Sequence, residues 1–261
     1  MTIPEDVEKQ YATPANLDAR IALHERFSTT LYPWMRWVFD QIDAPDCASI
    51  LEVGCGTGAL WAENSERIPP EWSVTLVDQS AGMLEQARAN LAEVPHSFRF
   101  EQGDVQRLPF ATASFDAVVA NHMLYHVADL AQGLAEIHRV LKAGGKLFAA
   151  TNGEMHMYEL RQLLNAFDST IPPDRAHFPF TLENGAGLLA PYFARVELRR
   201  YESALAVTEA APLVAYILSM DVIPPERRDE LTTHVEDTLR AHGGMFRIQK
   251  ATGLFVATKR S

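Results

Sequence analysis

Short apolar runs alternate along the middle of the chain with segments in which apolar residues recur every three or four positions. The runs predict strands at 50–53, 74–77, 98–100, 115–120 and 146–150. The helix-like spacing predicts helices at 81–91 and 130–141. Because each helix returns the chain to the start of the next strand, this alternation indicates a parallel sheet.

Outside this alternation, the pattern predicts further helices and two more strands. The helices are expected at 16–27, 31–42, 158–167, 182–190, 212–220 and 226–242, and the strands at 195–201 and 253–258. Asn16 is the expected N-cap of the first helix, and Gly144 and Gly145 are expected to end the helix at 130–141. Whether residues 245–248 extend the last strand is open from the pattern alone.

These elements indicate an α/β protein with a doubly wound, mostly parallel seven-stranded sheet and a helical cap. Residues 1–45 are expected to form the N-terminal helical cap, residues 46–151 the ligand-binding core, and residues 152–261 helical insertions and the remaining strands of the same domain. Packing at the sheet edge is the alternative role for the insertions. Trp34 and Trp37 share a face of the second helix, where core packing is favoured over ligand binding.

Composition and charge narrow the class of partner. The 261 residues carry a net charge of −11, which argues against nucleic acid or an anionic membrane surface as the partner. No run of about 18 apolar residues occurs, and the N-terminus lacks the pattern of a signal sequence, so we expect a cytoplasmic protein. Cys47 and Cys55 are expected to be reduced thiols, and no metal site is expected.

A glycine-rich turn follows the first predicted strand. Gly54, Gly56 and Gly58 occupy alternate positions between that strand and a helical stretch. This order of strand, glycine turn and helix is the entry of a nucleotide-binding unit, where side chains would keep a nucleoside away from the backbone. A tight connection without any ligand is the alternative interpretation.

Acidic residues lie at the ends of three successive predicted strands: Glu52, Asp78 and Asp104. A carboxylate at the position of Asp78 can accept hydrogen bonds from both hydroxyls of a ribose. Asp104 can accept from the exocyclic amine of an adenine, while the backbone amide of Val105 donates to a ring nitrogen. Because the carboxyl ends of parallel strands share one edge of a sheet, the pattern predicts one nucleoside site.

Four motifs together resemble those of class I S-adenosylmethionine-dependent methyltransferases, in the small-molecule group of ubiquinone/menaquinone type. The motifs are Glu52-Val-Gly54-Cys-Gly56-Thr-Gly58, Val77-Asp78-Gln-Ser-Ala-Gly-Met83, Gly103-Asp104-Val105 and Val140-Leu-Lys-Ala-Gly144-Gly145. The resemblance covers residues 49–150 and implies S-adenosylmethionine as cofactor. It implies that the three glycines border the methionine part, Asp78 binds the ribose, and Asn121 lines the methionine amino group. Gln79 or Met83 would pack near the adenine, and Asp104 and Val105 would bind the adenine edge.

Other functions fit part of the pattern. Gly54-x-Gly56-x-x-Ala59 also satisfies a dinucleotide-binding motif, and Asp78 lies 20 residues beyond Gly58 as that motif requires. Glu52 and the motif at 103–105 favour a site that binds one adenine. A dinucleotide would instead need space for a second phosphate at this place. A non-catalytic S-adenosylmethionine-binding or regulatory protein, and another sulfonium alkyl transferase, remain as alternatives.

Two histidines are the candidate catalytic residues. His122 and His126 lie four positions apart after the fourth predicted strand and are the nearest titratable candidates for a base. If the stretch is helical, they share one side and Tyr125 points elsewhere. Structural hydrogen bonds are the alternative role, and His126 matches a histidine common in the family whatever the substrate. The stretch lacks Asn-Pro-Pro-Tyr or Asp-Pro-Pro-Tyr, which argues against a nucleic-acid substrate.

We expect the methyl acceptor to be a small molecule. The protein itself is expected to be a monomer or a homodimer. Residues of the predicted N-terminal helices and of the insert are expected to face it: Tyr11, Arg20, His24, Phe27, His156, Tyr158, His177 and Phe178. Their aromatic and imidazole side chains favour an aromatic or polar acceptor. The sequence does not specify which one.

Overall fold

A computed structural model describes residues 14–171 and 179–260 of the chain. The helices are α1 (Pro14–Phe27), α2 (Trp34–Gln41), α3 (Ala59–Ala62), α4 (Ala81–Asn90), α5 (Leu130–Val140), α6 (Tyr158–Phe167), α7 (Gly185–Leu189), α8 (Ala210–Leu218) and α9 (Arg228–Ala241). The strands are β1 (Ser49–Val53), β2 (Ser73–Asp78), β3 (Phe98–Gln102), β4 (Phe115–Asn121), β5 (Leu141–Asn152), β6 (Arg195–Val207) and β7 (Phe246–Thr258). Short 3-10 helices cover 65–67, 124–126 and 225–227.

The strands form one seven-stranded sheet with the order β3-β2-β1-β4-β5-β7-β6. Strands β1 to β5 pair in parallel, and β7 pairs antiparallel to β5, with Lys146 opposite Thr258 and Ala149 opposite Phe255. The predicted α/β class and mostly parallel seven-stranded sheet are therefore confirmed. This topology brings the carboxyl ends of β1, β2 and β4 to one edge of the sheet.

Both faces of the central strands are buried, which explains why their sequences are continuous apolar runs. Ile50 packs on one face with Val38 and Trp61, whereas the next residue, Leu51, packs on the other face with Leu134. Helices cover each face of a doubly wound sheet, so neighbouring strand residues all need apolar side chains.

Five predicted helix starts differ from the structure by two or three residues, and those of α8 and α9 lie at Ala210 and Arg228 instead of 212 and 226. Helix α1 begins at Pro14, so Asn16 lies inside the helix and its predicted role as N-cap is wrong. Helix α2 begins at Trp34, not at residue 31, because Pro33 before it is extended, with ψ of 145°. Helix α7 begins at Gly185, not at residue 182, because the side chains of Thr181 and Asn184 bond to each other's backbone N–H groups in a turn ahead of it.

The Gly144–Gly145 pair belongs to a strand and not to the end of a helix, so that prediction is also wrong. Helix α5 ends at Val140, and β5 begins at the next residue. The pairing of β4 with β5 shifts register between Phe115 and Ala117, which creates a bulge that contains both glycines. A Cβ atom on Gly145 would lie 2.9 Å from the carbonyl oxygen of Lys142, so the bulge requires glycine there.

The described residues divide into two compact units. Residues 32–154, 179–201 and 252–260 form the larger unit, which contains α2 as well as the core strands. Residues 14–31, 155–171 and 202–251 form the smaller unit, which is mainly helical. Helices α1, α6, α8 and α9 each bury an apolar side chain in the core of the smaller unit: Leu23, Leu164, Leu213 and Val235, respectively. Strand β7 adds Ile248 to this core. Within the described ranges, no helix has the length and apolar content needed to cross a membrane.

Gly185 offers a sharp test of packing in the larger unit. A Cβ atom there would lie 2.4 Å from Cε2 of Phe255, which is fully buried. We expect Gly185→Ala to lower the free energy of unfolding by about 1–3 kcal/mol, because the core ring must move. Gly187 of the same helix has no atom within 4 Å of such a Cβ, so Gly187→Ala serves as the control. Urea unfolding in which both variants lose equal stability would contradict this packing.

Candidate functional site

The glycine turn after β1 combines close packing with open space. Gly54, Gly56 and Gly58 have φ of +63°, +53° and +74°, in the left-handed region that favours glycine. A Cβ atom on Gly54 would lie 2.8 Å from Cβ of Met123, whereas one on Gly56 would meet nothing within 4 Å. The turn is thus packed from beneath at Gly54 and open at Gly56. A ligand could approach the backbone there.

Asp78 is anchored at this turn by two backbone groups. Its Oδ2 accepts a hydrogen bond from the N–H of Gly56 at 2.9 Å, and its Oδ1 accepts one from the N–H of Ser80 at 2.9 Å. Each carboxylate oxygen has more than one lone pair, so both can accept a further hydrogen bond. The carboxylate is therefore held in a fixed orientation and remains able to bind two ligand hydroxyls.

Glu52 differs from Asp78, because it is buried below the turn. Its side chain is 2% exposed, and its Oε2 accepts a hydrogen bond from Nε1 of Trp61 at 2.7 Å. Burial raises the pKa of Glu52 to about 8, against the effect of the Trp61 hydrogen bond, and the charge of Asp78 raises it further. Burial also raises the pKa of the neighbouring Cys55 thiol. Glu52 consequently supports the turn from inside, bonded to Trp61.

Asp104 follows β3 and is engaged by a neighbouring side chain. Both of its carboxylate oxygens accept hydrogen bonds from Nε2 of Gln106, at 3.0 and 2.9 Å, and Oδ1 also accepts from the Gln106 N–H. Oε1 of Gln106 in turn accepts from the N–H of Asp129, the N-cap of α5. An adenine amine would have to share or displace the Gln106 amide. The adjacent Val105 side chain is buried in the core.

The remaining residues predicted near an adenine lie around the start of α4. Ser80 caps this helix, and its Oγ accepts a hydrogen bond from the N–H of Met83 at 3.3 Å. Met83 is half-buried and Gln79 is exposed, while the Gln79 carbonyl oxygen accepts from Nε2 of Gln102. Gln79 and Met83 therefore lie just after Asp78 in the chain, at the junction of β2 and α4.

Asn121 ends β4 and contacts helix α2. Its Oδ1 accepts a hydrogen bond from Nε1 of Trp34 at 3.3 Å, and its Nδ2 lies 3.3 Å from Sδ of Met35. The Trp34 ring stacks on Trp37 at 5.2 Å and meets Tyr201 edge-on, also at 5.2 Å. Sequence analysis assigned Trp34 to core packing and missed its contact with Asn121. The sequence feature that could have indicated this contact is the pair of tryptophans, Trp34 and Trp37, one turn apart at the start of the helix.

The two candidate histidines do not lie on one helix. His122 has φ of +56° and precedes a single 3-10 turn at 124–126, so the condition for a shared helical side is not met. The Tyr125 ring lies 6.2 Å from that of His122 and 4.5 Å from that of His126, so it does not point elsewhere. The His122 ring is also 5.1 Å from Trp34. Both imidazoles therefore belong to an aromatic group beside Asn121.

The residues expected to face an acceptor are only partly described. Tyr11, His177 and Phe178 lie outside the described residues, as does the side chain of Arg20. In the smaller unit, Phe27 is buried in the core, and His24 packs edge-on against Tyr216. His156 is half-buried, and Tyr158 is 38% exposed. Phe27 is a core residue, so its predicted role at the acceptor is wrong.

The strand order, the glycine turn and the carboxylates at the strand ends define a nucleoside-binding α/β fold, and residues 51–149 match the family described as Methyltransferase domain. This stretch is a class I S-adenosylmethionine-dependent methyltransferase domain, and the resemblance inferred from the motifs is confirmed. S-adenosylmethionine is the cofactor of that class. No group of three or more His, Cys, Asp or Glu side chains that could hold a metal occurs at 14–171 or 179–260.

Known proteins similar to this chain include both sequence and structural relatives. A demethylmenaquinone methyltransferase of Deinococcus radiodurans is 40% identical over 114 residues, which cover 44% of this chain and 47% of the relative. The YcgJ protein from Bacillus subtilis has a TM-score of 0.62 at 20% identity, covering 87% of this chain and 98% of that one. Phosphoethanolamine N-methyltransferase 2 of Haemonchus contortus, in complex with S-adenosyl-L-methionine, has a TM-score of 0.62 at 16% identity, covering 100% of this chain and 60% of that one.

The sequence matches are limited to part of each relative. Among the first curated relatives, the chain spans between 32% and 53% of their length. The structural likenesses are below 25% identity and concern the fold alone. The similarity therefore identifies the domain class, whereas the acceptor requires an argument from this chain's own residues.

Proposed function

We propose that this protein transfers a methyl group from S-adenosylmethionine to a small-molecule acceptor. The observation that carries the proposal is the Asp78 carboxylate, fixed by the N–H groups of Gly56 and Ser80 beside a glycine turn that is open at Gly56. The methyltransferase domain at 51–149 supports it. The proposed enzyme is cytoplasmic, a monomer or homodimer, and acts on neither nucleic acid nor membranes.

The residues at the strand ends fit this cofactor. Asp78 would accept from the ribose hydroxyls, and the open backbone at Gly56 would border the methionine part, with Gly54 and Gly58 shaping the turn. The adenine would lie near Gln79, Met83, Asp104 and Val105, and the methionine amino group near Asn121. Glu52 would not contact the cofactor and would support the glycine turn from its buried side. When bound, S-adenosylmethionine supplies a methyl group on an electrophilic sulfonium.

The aromatic residues around Asn121 are the proposed contacts of the acceptor. Trp34 and Tyr125 are half-buried and offer ring faces and edges suited to a planar or cationic small molecule, while the buried Tyr201 ring supports Trp34 edge-on. These side chains would align the acceptor and exclude water, and such alignment can supply roughly 7–11 kcal/mol of a barrier. His122 and His126 would accept a proton if the acceptor's nucleophile carries one.

Calorimetry and a turnover assay test this proposal. We expect the purified chain to bind S-adenosylmethionine and S-adenosylhomocysteine, and to release S-adenosylhomocysteine when a metabolite extract is added with labelled cofactor. Absence of binding of either compound at millimolar concentration would end the proposal. Binding without turnover would favour a regulatory protein, and label found only in protein or nucleic acid would exclude a small-molecule acceptor.

Substitution of the histidines separates proton transfer from alignment. We expect His122→Ala to lower kcat about a hundredfold, the lower range for removal of a general base, while the Kd of S-adenosylhomocysteine stays within about threefold. His126→Ala tests the second candidate in the same assay, and His242→Ala, at an exposed position on the smaller unit, is the control. Unchanged turnover of both variants across pH 6–9 would assign catalysis to alignment alone.

A further inference from the structure

Lys250 lies on the inner side of β7 in the smaller unit. Side chains alternate along a strand, so Lys250 shares its side with Phe246 and Ile248, which are both buried in the core of this unit. The intervening residues Arg247 and Gln249 are exposed. A lysine therefore stands at a position where the strand pattern calls for an apolar residue, and it keeps part of its surface exposed.

His24 of helix α1 is a basic group near enough to Lys250 to be affected by its charge. Its ring meets the Tyr216 ring edge-on, with centroids 5.9 Å apart, and its Nδ1 is buried without a hydrogen-bond partner among the described residues. Burial first, and then the positive charge of Lys250, lower the pKa of His24 to about 4. Burial also lowers the pKa of Lys250.

No carboxylate of the described residues compensates this pair. The neighbouring acid Glu159 accepts a hydrogen bond from the N–H of Gln249 at 2.9 Å and is therefore directed at the backbone. Other acids of the unit pair with arginines, Glu209 with Arg26 and Asp168 with Arg227. A partly buried ammonium without a counter-charge is costly, and buried charges in proteins are normally paired.

We propose that Lys250 and His24 bind the carboxylate of a small organic molecule, whose apolar body packs on Tyr216 and the neighbouring core side chains. The carboxylate would supply the missing counter-charge of Lys250 and accept a hydrogen bond from the imidazole Nδ1 in its protonated tautomer. This site lies within the smaller unit, and the inference does not depend on the proposed function.

The charge of the pair favours a carboxylate over a phosphate. Near neutral pH, His24 is uncharged and Lys250 carries one positive charge, which matches a monoanion. A dianionic phosphate would need a protonated His24, and the low pKa of this residue opposes that. The Tyr216 ring, which meets His24 edge-on, favours a ligand with a hydrocarbon or aromatic body.

Benzoate is a suitable probe, with benzamide as its neutral counterpart and phosphate as the competing anion. We expect benzoate to raise the Tm of the full chain at constant ionic strength, whereas benzamide and phosphate leave it unchanged relative to sodium chloride. In NMR titrations, saturating benzoate should raise the pKa of His24 by about one unit or more, since an anion favours the protonated ring. This measurement uses the wild-type chain and needs no substitution.

Substitutions on β7 test whether Lys250 binds the benzoate. Lys250→Met should weaken benzoate binding at least about tenfold. Arg247→Met removes the same charge from the exposed side of the strand and should retain wild-type affinity. An unchanged His24 pKa in benzoate, or equal stabilisation by benzamide, would overturn the carboxylate site. Stabilisation by phosphate equal to that by benzoate would replace it with a general anion site. If S-adenosylhomocysteine binds normally while benzoate does not, the proposed function stands and only this inference fails.

Discussion

Asp78→Ala is expected to bind S-adenosylhomocysteine about ten- to more than a hundredfold more weakly than the wild type. Hydrogen bonds to a charged group contribute about 1.5–3 kcal/mol, and a change of 1.4 kcal/mol is tenfold in affinity. The substitution also frees the N–H groups of Gly56 and Ser80, so the turn loses its anchor. Calorimetry on the folded variant, checked by circular dichroism, measures the effect.

Two further substitutions sharpen this result. Asp78→Asn retains one oxygen acceptor and should lose less affinity than Asp78→Ala. Glu71→Ala removes an exposed carboxylate ahead of the opposite end of β2, and should leave the affinity unchanged. If Asp78→Ala and Glu71→Ala bind equally well, Asp78 does not belong to the cofactor site.

The second large effect concerns stability at alkaline pH. Burial raises the pKa of Glu52 in the folded chain to about 8 from its ordinary value of 4.5. Between these values the unfolded chain binds fewer protons than the folded chain, so the free energy of unfolding falls as the pH rises. We expect Glu52→Gln to remove this loss. The gain over the wild type should be on the order of 5 kcal/mol above pH 8 and vanish near pH 4.

Urea unfolding without cofactor from pH 4 to 9 tests this prediction. Gln retains the oxygen that accepts from Nε1 of Trp61, so the substitution changes the charge and not the hydrogen bond. Glu71→Gln provides the exposed control and should follow the wild-type curve. Parallel curves for the wild type and Glu52→Gln across this range would mean that Glu52 ionises normally.

The sheet was predictable because burial on both faces leaves an unmistakable pattern. Ile50 and Leu51 point to opposite faces and are both fully buried, so β1 is a continuous apolar run. The glycine bulge in β5 was not predictable in the same way. Gly144 and Gly145 follow a helical stretch, as glycines that end a helix also do. Only the pairing of β5 with β4 distinguishes a strand bulge from a helix end.

The candidate site was predictable in its positions but not in its contacts. Asp78 and Asp104 both follow strands, yet the first is anchored by backbone and the second is held by the Gln106 amide. Glu52 has the same strand-end position and is buried. Asn121 bonds to Trp34, which lies 87 residues away in the chain. Such contacts depend on the tertiary packing of distant elements, and local patterns carry no information about them.

The place of β7 in the sheet has a consequence for biosynthesis. It is the last strand in chain order, yet it lies between β5 and β6. Ala149 of β5 pairs with Phe255, so the nascent chain exposes an open β5 edge while about a hundred further residues are made. At typical rates of translation this interval is about 5 to 20 seconds. An unpaired edge strand is a template for aggregation, so the yield of folded protein should depend on chaperones that shield β5 until β7 arrives.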